Sequence, residues 1–247
     1  MKNIWIIGAT NGIGKSLAEL FASQGHNLAI SGRNQKRLDE LLTSFPYGDH
    51  ISAPMDVCKV SQIQKTSKAV FSQWNQIDQV IFLAGIYQPM KISELDLKLV
   101  KDIIETNLIG AINLTNVILD DLISMGNNVQ FSFCASVAGY RGLPNSQPYG
   151  ASKAGLINFV QSLNVEHGKE VDIRLINPGF VKTRLTDKND FEMPMIISAD
   201  QAANYIDKGL NSKKFEVHFP KKFSLILKVL NLLPTKLFNK IARSLVE

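Results

Sequence analysis

Tyr149 and Lys153 have the residue types and the spacing that proton-transfer chemistry requires. They lie in the stretch PYGASKAG, residues 148–155, with three small residues between them. Residues four apart share a face of a helix, so the phenol and the ammonium would lie side by side. Both groups ordinarily titrate near pH 10, and an adjacent positive charge favours the phenolate and lowers the pKa of the phenol. The alternative is a tyrosine and a lysine on a solvated helix face.

A glycine-rich turn, GATNGIG, follows the first apolar run of the chain. Its glycines, Gly8, Gly12 and Gly14, stand between a predicted strand and a predicted helix. Glycines allow the backbone to approach a pyrophosphate, and a helix N-terminus favours negative charge. The spacing is G-x3-G-x-G rather than G-x-G-x-x-G, and a glycine turn alone is weak evidence. Its place between a strand and a helix predicts a dinucleotide site.

The end of the second predicted strand, AISGRN, indicates which dinucleotide binds. About 20 residues beyond the glycines, an NAD site usually has an acidic residue for the ribose hydroxyls. This chain has Ser31 and Gly32 there, followed by Arg33. A guanidinium can hold a 2′-phosphate by charge-assisted hydrogen bonds, which favours NADP(H). The alternative is that Arg33 is a surface residue at the start of a helix.

The elements that must position these residues alternate between short apolar runs and longer helical patterns. Strands are predicted at 4–8, 28–31, 52–57, 79–84, 129–134 and 173–176. Helices are predicted at 14–24, 33–44, 61–74, 97–123 and 149–167. This alternation predicts the α/β class, with one Rossmann-like, doubly wound parallel sheet and helices on both faces.

The composition fits one large α/β domain that builds a sizeable core. Of the 247 residues, 45% are hydrophobic and 20% are charged. The two cysteines, Cys58 and Cys134, lie far apart among apolar residues, so we predict no disulfide and a reducing, cytoplasmic compartment. The four histidines are scattered without metal-ligand spacing, so we assign no metal. No apolar stretch is long enough to predict a membrane-spanning helix.

Residues 180–197 show no clear periodicity and precede a capping-box pattern, SADQ, at residues 198–201. A loop of this length often closes over a binding site. A plain surface connection is nearly as well supported, and both interpretations stay open at this point.

The last 28 residues, 220–247, differ from residues 1–219 and are predicted to form a basic helical tail. Six basic residues and one acidic residue lie after position 220, so the net charge of +5 is confined to this segment. We predict two amphipathic helices separated by Pro234. The apolar residues are Phe223, Leu225, Ile226, Val229, Leu230 and Leu233 in the first, and Leu237, Phe238, Ile241 and Leu245 in the second.

The tail has two interpretations, which are nearly even. Basic amphipathic helices can lie on a membrane surface that contains anionic lipid, and a peripheral position at the inner face of a membrane would suit an apolar carbonyl substrate. Alternatively, the helices pack on the protein body or on a partner subunit. Nucleic-acid binding is not predicted, because the tail lacks interleaved aromatic residues and any known motif.

Several of these motifs occur in the order found in the short-chain dehydrogenase/reductase family, which the chain resembles from about residue 3 to about residue 219. GATNGIG resembles the cofactor turn of the family, and NPG at residues 177–179 resembles the stretch that cradles the nicotinamide. Tyr149 and Lys153 match the family's Tyr-x-x-x-Lys pair, and Ser136, after the strand FSFCAS, matches its catalytic serine. Any one of these motifs is weak evidence, but together they are strong.

The resemblance implies an NADP(H)-dependent oxidoreductase that interconverts a carbonyl and an alcohol. The implied catalytic residues are Asn107, Ser136, Tyr149 and Lys153. The implied cofactor-binding residues are Gly8, Thr10, Asn11, Gly12, Ile13, Gly14, Arg33, Asp56, Val57, Ala84, Gly85, Tyr149, Lys153, Pro178, Gly179, Val181 and Thr183. Tyr149 would act as the general acid or base, Lys153 would lower its pKa and grip the nicotinamide ribose, and Ser136 would hold the substrate oxygen. Asn107 would hold a water that links Lys153 to solvent.

One motif departs from the family pattern. The family usually has Asn-Ala-Gly after the fourth strand, whereas this chain has Phe82-Leu83-Ala84-Gly85. The departure puts the detailed cofactor contacts in doubt, but not the class of reaction. The resemblance also implies a homodimer or a homotetramer. The alternative function is a dinucleotide sensor without catalytic activity, for which we would expect a broken catalytic set.

Overall fold

The computed structural model describes residues 1–126 and 129–243, and its centre is a seven-stranded parallel sheet. The strands are β1 (Asn3–Ile7), β2 (Asn27–Ser31), β3 (Ile51–Ser52), β4 (Gln79–Phe82), β5 (Gln130–Cys134), β6 (Asp172–Pro178) and β7 (Glu216–Phe219). The α-helices are α1 (Gly12–Ser23), α2 (Gln35–Leu42), α3 (Val60–Gln73), α4 (Leu97–Ile104), α5 (Gly110–Ser124), α6 (Tyr149–His167), α7 (Ala199–Leu210), α8 (Lys221–Leu232) and α9 (Thr235–Arg243).

The order of the strands across the sheet is β3-β2-β1-β4-β5-β6-β7, and every neighbouring pair is parallel. The chain builds outward from β1 to β3 and then returns to the other side of β1 with β4. In sheets of this kind ligands bind beyond the carboxyl ends of the strands, where the order reverses. Ile7 of β1 is paired with Ser31 and with Phe82, so the ends of these three strands are level.

Helices cover both faces of the sheet and bury two apolar layers. Leu114 of α5 and Leu156 of α6 are fully buried in the layer on one face. Leu17 of α1 and Ile206 of α7 are fully buried in the layer on the other face. Because the central strands are covered on both faces, they consist of continuous apolar runs rather than alternating ones. The predicted doubly wound α/β sheet is confirmed.

The sequence patterns located most elements to within a few residues, and the exceptions have physical reasons. The strand predicted at 52–57 is reduced to β3, at the edge of the sheet. Strand β7 was not predicted, because it is short and mixes Glu216 and His218 with two apolar residues. The capping box at the start of α7 is confirmed, since Ser198 and Gln201 exchange side-chain and backbone hydrogen bonds.

The long helix predicted at 97–123 is interrupted by a π-helix, Glu105–Ile109, between α4 and α5. The apolar pattern continues through this segment, so periodicity alone could not locate the break. A π-turn changes the direction of side chains by inserting one residue, and such turns often occur at functional sites. The insertion contains Asn107, one of the predicted catalytic residues, and buries it completely.

The tail forms the two predicted helices, α8 and α9, and α8 turns polar as well as apolar residues toward the protein. Ser224 is fully buried and hydrogen-bonds His218 of β7 at 2.7 Å, and Lys228 forms an ion pair with Glu216. Of the six apolar residues predicted for the first helix, Leu225, Ile226 and Val229 are exposed, whereas Phe223, Leu230 and Leu233 are half-buried. Leu245, also assigned to the second stripe, lies outside the described residues. No helix in the described part of the chain is long and apolar enough to cross a membrane.

Candidate active site

A cleft of about 620 Å³ lies beyond the carboxyl ends of the central strands. Its volume is in the usual range for a site that holds a small molecule or a cofactor. Every predicted cofactor residue lines this cleft, as do Ser136, Tyr149 and Lys153. Asn107 is not among the lining residues, although its neighbour Thr106 is. The tertiary structure therefore brings together residues as far apart in the chain as Gly8 and Thr183.

The glycine turn between β1 and α1 forms a close-packed cradle at one wall of the cleft. Gly8 has φ +97°, and a Cβ there would lie 2.6 Å from the backbone nitrogen of Ala84. A Cβ on Gly14 would lie 2.1 Å from the carbonyl oxygen of Gly8. The turn therefore tolerates no side chain at either position, and it leaves the N-terminus of α1 facing the cleft. This geometry fits a dinucleotide pyrophosphate, which favours backbone N–H groups and the positive end of a helix.

Two exposed arginines, Arg33 and Arg37, lie at the end of the cleft beyond β2. Arg33 follows the strand end, and Arg37 is in the first turn of α2, whose N-cap is Asn34. Among the described residues, neither guanidinium forms an ion pair with a carboxylate. The sequence analysis missed Arg37, although its position four residues after Arg33 near a helix start could have indicated it.

Two of the predicted cofactor-binding residues, Asp56 and Val57, lie after β3 and are held by hydrogen bonds with neighbouring residues. Asp56 accepts a hydrogen bond from the backbone N–H of Cys58 at 3.0 Å. The carbonyl of Val57 accepts one from Asn113 of α5 at 3.2 Å. These contacts fix the loop beside the cleft. Cys58 and Cys134 are both free thiols.

Lys153 is a buried cation on the first turns of α6. Its ammonium donates a hydrogen bond to the carbonyl of Cys134 at 2.8 Å, and its nitrogen lies 5.7 Å from the centre of the Tyr149 ring. No carboxylate among the described residues pairs with it, and burial lowers its pKa. A Cβ on Gly85 would lie 3.6 Å from the ammonium, so glycine there leaves room at the cleft wall.

Tyr149 lies at the start of α6, beside Ser136 and against the ring of Tyr87. The two tyrosine rings meet edge to face, with their centres 4.8 Å apart. The hydroxyl of Ser136 accepts a hydrogen bond from the backbone N–H of Ala138 at 3.1 Å and approaches the carbonyl of Pro178 at 3.4 Å. The strand end of β5 and the first turn of α6 thus place a hydroxyl and a phenol at one point of the cleft.

The pKa of Tyr149 differs from the sequence-based expectation. Burial raises it, the nearby Cys134 thiol raises it further, and the hydrogen bond with Ser136 lowers it. The protein's own groups therefore keep the phenol protonated at neutral pH. The lowering that we expected from Lys153 stays a prediction. Its ammonium lies 5.7 Å from the Tyr149 ring centre and donates its hydrogen bond to the carbonyl of Cys134.

The side chain of Asn107 is fully buried and does not line the cleft. Its side-chain oxygen accepts the backbone N–H of Ile86 at 2.8 Å. Its side-chain nitrogen donates to the carbonyl of Ile86 and to the hydroxyl of Ser152, each at 3.0 Å. The amide therefore joins the loop after β4 to α6. Its predicted role in holding a water stays a prediction.

The departure from the family pattern after β4 does not disturb the sheet. Phe82 is fully buried in register with Ile7 and Phe133, and its ring centre lies 6.3 Å from that of Phe133. Leu83 continues the ladder, because its N–H donates to the carbonyl of Ile7 at 2.8 Å. The packing of Phe82 and the backbone hydrogen bond of Leu83 therefore hold the end of β4 in the sheet without a polar side chain at these positions. Ala84 and Gly85 remain at the cleft surface.

The stretch after β6, which the family resemblance assigns to the nicotinamide, forms another wall of the cleft. The N–H of Gly179 donates to the carbonyl of Phe219 at 2.7 Å, which ties this stretch to β7. Val181 is buried, and Thr183 is fixed by hydrogen bonds with Thr186. Beyond Thr183, six residues of the aperiodic segment 180–197 border the cleft: Arg184, Leu185, Thr186, Lys188, Asn189 and Phe191. Whether this segment is a lid or a plain surface connection stays open.

The far end of the cleft is apolar and aromatic. The sequence predicted that segments 138–147 and 180–197 form the substrate pocket, but it missed Tyr87, Phe223 and Leu227. The lining residues of this end come from four separate segments of the chain: Tyr87, Leu143, Phe180, Phe191, Phe223 and Leu227. Phe180 lies between Phe191 and Phe223, with ring centres 5.8 and 5.3 Å away. Phe223 and Leu227 belong to α8, so the tail supplies part of the cleft wall. No motif marks these residues, because only the tertiary structure joins them.

Cofactor and metal binding can be judged from these side chains. The glycine cradle, the two arginines at one end and the buried ammonium at the other fit an extended, negatively charged dinucleotide. Within residues 1–126 and 129–243, no group of three or more His, Cys, Asp or Glu side chains could hold a metal ion.

The chain is similar in sequence to oxidoreductases from several organisms, two of which illustrate the match. An uncharacterized oxidoreductase of Myxococcus xanthus is 31% identical over 245 residues, covering 97% of this chain and 96% of that protein. Carbonyl reductase family member 4 of Xenopus laevis is 30% identical over 184 residues, covering 73% of this chain and 76% of that protein. The match to the M. xanthus protein therefore extends into the tail.

Solved structures share the fold at low sequence identity. A short chain dehydrogenase from Burkholderia cenocepacia in complex with NADP has a TM-score of 0.84 at 19% identity, covering 97% of this chain and 96% of that one. A short chain dehydrogenase/reductase from Burkholderia phymatum in complex with NAD has a TM-score of 0.82 at 19% identity, covering 92% of each chain. The fold is thus compatible with either dinucleotide.

A match to a whole family supports the same assignment. The family model described as short chain dehydrogenase matches residues 2–193, which include the glycine turn, Ser136, Tyr149 and Lys153. The match agrees with the sequence relatives, with the strand order and with the cleft. The chain belongs to the short-chain dehydrogenase family of oxidoreductases.

Proposed function

We propose that the protein is an NADP(H)-dependent oxidoreductase that interconverts a carbonyl and an alcohol, with Tyr149 as the general acid or base. The observation that carries this proposal is the convergence of Ser136, Tyr149 and Lys153 beside the glycine cradle in one cleft. A dinucleotide sensor without activity would have no need for this set. The complete set favours an enzyme.

In the proposed reduction, the nicotinamide supplies the hydride when NADPH is bound. Ser136 donates a hydrogen bond to the carbonyl oxygen and holds it beside the phenol. Tyr149 donates its proton to that oxygen as negative charge develops there, so the carbonyl becomes the alcohol. Lys153 stabilises the phenolate that remains, and a proton from solvent restores the phenol.

Arg33 and Arg37 support a preference for NADP(H). Both guanidiniums lie at the cleft end beyond β2, where a dinucleotide that crosses the glycine cradle would place its adenosine ribose. A 2′-phosphate carries negative charge and suits a planar guanidinium fork. NAD lacks this phosphate, so the arginines would give it less binding free energy.

A thermal-shift titration with NADPH and NADH tests the cofactor assignment. A ligand at one hundred times its Kd stabilises the native state by about 2.7 kcal/mol. We expect NADPH to raise the Tm of the wild type more than NADH does, and Arg33→Ala to remove most of this difference. Lys36→Ala, which removes an exposed cation from the first turn of α2, is the control and should change neither shift. Equal shifts for the two dinucleotides would contradict the NADP(H) preference.

A panel of carbonyl compounds with NADPH then tests the reaction itself. Consumption of NADPH that depends on the carbonyl supports the enzyme. Binding of NADPH without turnover of any ketone or aldehyde would favour the sensor.

The proposed assembly is a homodimer or a homotetramer in the cytoplasm, acting on a small-molecule substrate. The support for this assembly comes from membership of the family. Size-exclusion chromatography with light scattering measures the assembly directly, and a monomeric mass at micromolar concentration would contradict it.

A further inference from the structure

The exposed side of α8 is apolar, which is unusual for a helix that already packs on the protein body. Four of its residues are at least half exposed: Leu225 and Ile226 at 50%, Val229 at 61% and Leu232 at 84%. At 100° per residue these four positions fall on one side of the helix. Leu237 of α9 adds a further exposed apolar side chain. Contiguous apolar residues at a protein surface usually mark an interaction site.

Contacts with the body fix which side of α8 is exposed. Ser224 and Lys228, one turn apart, face β7 and bond with His218 and Glu216. Arg141 donates hydrogen bonds to the carbonyls of Leu230, Asn231 and Leu233 at the end of the helix. The exposed apolar side of α8 therefore cannot turn inward without breaking these bonds.

The charges around this surface are all positive. Exposed basic residues flank it: Lys221, Lys222, Lys236, Lys240 and Arg243. No acidic residue occurs between positions 220 and 243, and no described residue forms an ion pair with any of these five. Burial and the positive charges of Lys214 and Lys228 lower the pKa of Lys221, and the Glu216 carboxylate opposes this shift.

These observations distinguish between two occupants. A second copy of the chain, meeting this surface symmetrically, would bring the same five cations against themselves. An anionic bilayer would accept the apolar side chains and would neutralise the cations as well. The charge complementarity therefore favours a lipid surface.

The same helix also borders the far end of the cleft, which is apolar and aromatic. Phe223 and Leu227, one turn apart, line the cleft beside the exposed apolar side of α8. A bilayer that covers Ile226 and Val229 would therefore lie close to the apolar mouth of the cleft.

We propose that α8 and α9 dock the enzyme on an anionic lipid surface and that its carbonyl substrate is an apolar molecule drawn from that surface. The substrate part rests on the proposed reductase function. The docking part does not depend on turnover.

Sedimentation of the full-length protein with vesicles tests the docking. We expect the wild type to bind phosphatidylcholine vesicles that contain phosphatidylglycerol, and to bind pure phosphatidylcholine vesicles much less. Val229→Gln with Leu232→Gln should weaken binding at least about tenfold, because two apolar side chains lose their burial in lipid. Val165→Gln changes a valine on α6 that is 84% exposed, and it should have no effect.

A matched pair of charge variants tests the electrostatic part. Lys236→Gln with Lys240→Gln should weaken binding to the anionic vesicles about 30-fold, since each cation near the surface contributes a factor of about five. Lys65→Gln with Lys68→Gln removes the same charge from the exposed side of α3 and should change little. Equal losses in the two variants would overturn the proposal. So would a wild type that does not sediment, or a dimer in solution that Val229→Gln with Leu232→Gln converts to a monomer.

Kinetics with two ketones test the substrate part. For a long-chain ketone presented in anionic vesicles, we expect kcat/KM to fall about tenfold in Val229→Gln with Leu232→Gln. For a short, water-soluble ketone it should not change. Equal rates of wild type and variant on the long-chain ketone would overturn lipid delivery. Failure of the wild type to reduce either ketone would instead contradict the reductase function, and the sedimentation result would stand.

Discussion

At the scale of single residues, the site combines a half-buried phenol and a buried ammonium. Burial raises the pKa of Tyr149 and lowers the pKa of Lys153, because a low-dielectric environment disfavours either charged form. The protein alone thus holds Tyr149 as a proton donor. The positive nicotinamide ring of NADP+ would favour the phenolate when the oxidised cofactor is bound.

The pH dependence of catalysis follows from the state of Tyr149. Reduction needs the protonated phenol and oxidation needs the phenolate. We expect kcat for reduction to be constant from about pH 6 to about pH 8 and to fall at alkaline pH, whereas kcat for oxidation should rise with pH. Tyr149→Phe should lower both about 10²- to 10⁴-fold, while NADPH still raises its Tm. A variant with near wild-type turnover would show that Tyr149 is not the acid.

Lys153 is predicted to reduce stability while it supports function. Lys153→Met removes a buried ammonium whose hydrogen-bond partner is one carbonyl. We therefore expect the free energy of unfolding to rise by about 1 kcal/mol near neutral pH. We also expect the variant to lose turnover. Urea denaturation measures the free energy of unfolding of both proteins.

The sign of the pH effect on this difference is fixed by linkage. The pKa of Lys153 is lower in the folded state than in the unfolded state, so the unfolded chain binds more protons between the two values. The stability of the wild type from this group therefore rises with pH in that window. The advantage of Lys153→Met should shrink as the pH rises towards the ordinary lysine pKa. A stability advantage of the variant that grows with pH would contradict a pKa of Lys153 that is lower in the folded state than in the unfolded state.

At the scale of secondary structure, Arg141 connects the loop after β5 to both C-terminal helices. Its guanidinium donates to three carbonyls at the end of α8 and lies 4.1 Å from the ring centre of Phe238 in α9. A cation at a helix C-terminus is also favoured by the helix dipole. The Arg141 side chain therefore stabilises the turn between α8 and α9.

Arg141→Ala should release this end of α8. We expect faster hydrogen exchange in α9 and in the last turn of α8, and a loss of about 2 kcal/mol in the free energy of unfolding. Arg141→Lys keeps the charge but loses the guanidinium fork, so it should restore only part of the protection. Unchanged exchange in Arg141→Ala would show that α9 is held by other contacts.

At the scale of the whole molecule, the tail completes the cleft rather than merely extending the chain. Burial opposes ionisation of Glu216, but hydrogen bonds from Lys228, Tyr140 and Asn177 outweigh it and hold its pKa below the usual range. This network joins α8 to β6 and β7. Phe223 of α8 also packs against Gly179, where a Cβ would lie 2.8 Å from its ring.

Removal of residues 221–247 tests whether the tail is separable. The predicted division at residue 219 implies that catalysis on a soluble carbonyl persists without the tail. From the contacts of Ser224, Lys228 and Phe223 we expect instead a lower Tm and a higher KM for bulky carbonyls, with less change for the smallest ones. A truncated protein with the Tm and KM of the full chain would establish the tail as an independent unit.

The sequence by itself determined the strand-helix alternation, the glycine turn and the Tyr149–Lys153 pair, because these depend on residues close together in the chain. Local patterns also placed Ser136 and Arg33 at strand ends, where a parallel sheet collects them. A resemblance to a family then gave these residues their expected roles.

Only the tertiary structure decided the rest. It inserted a π-helix at Asn107 and used that amide to join a loop to α6. It also turned Ser224 and Lys228 of α8 toward β7, where they bond with the His218 ring and the Glu216 carboxylate. A helical pattern shows that two faces differ, but which face is buried depends on what the neighbouring strand presents.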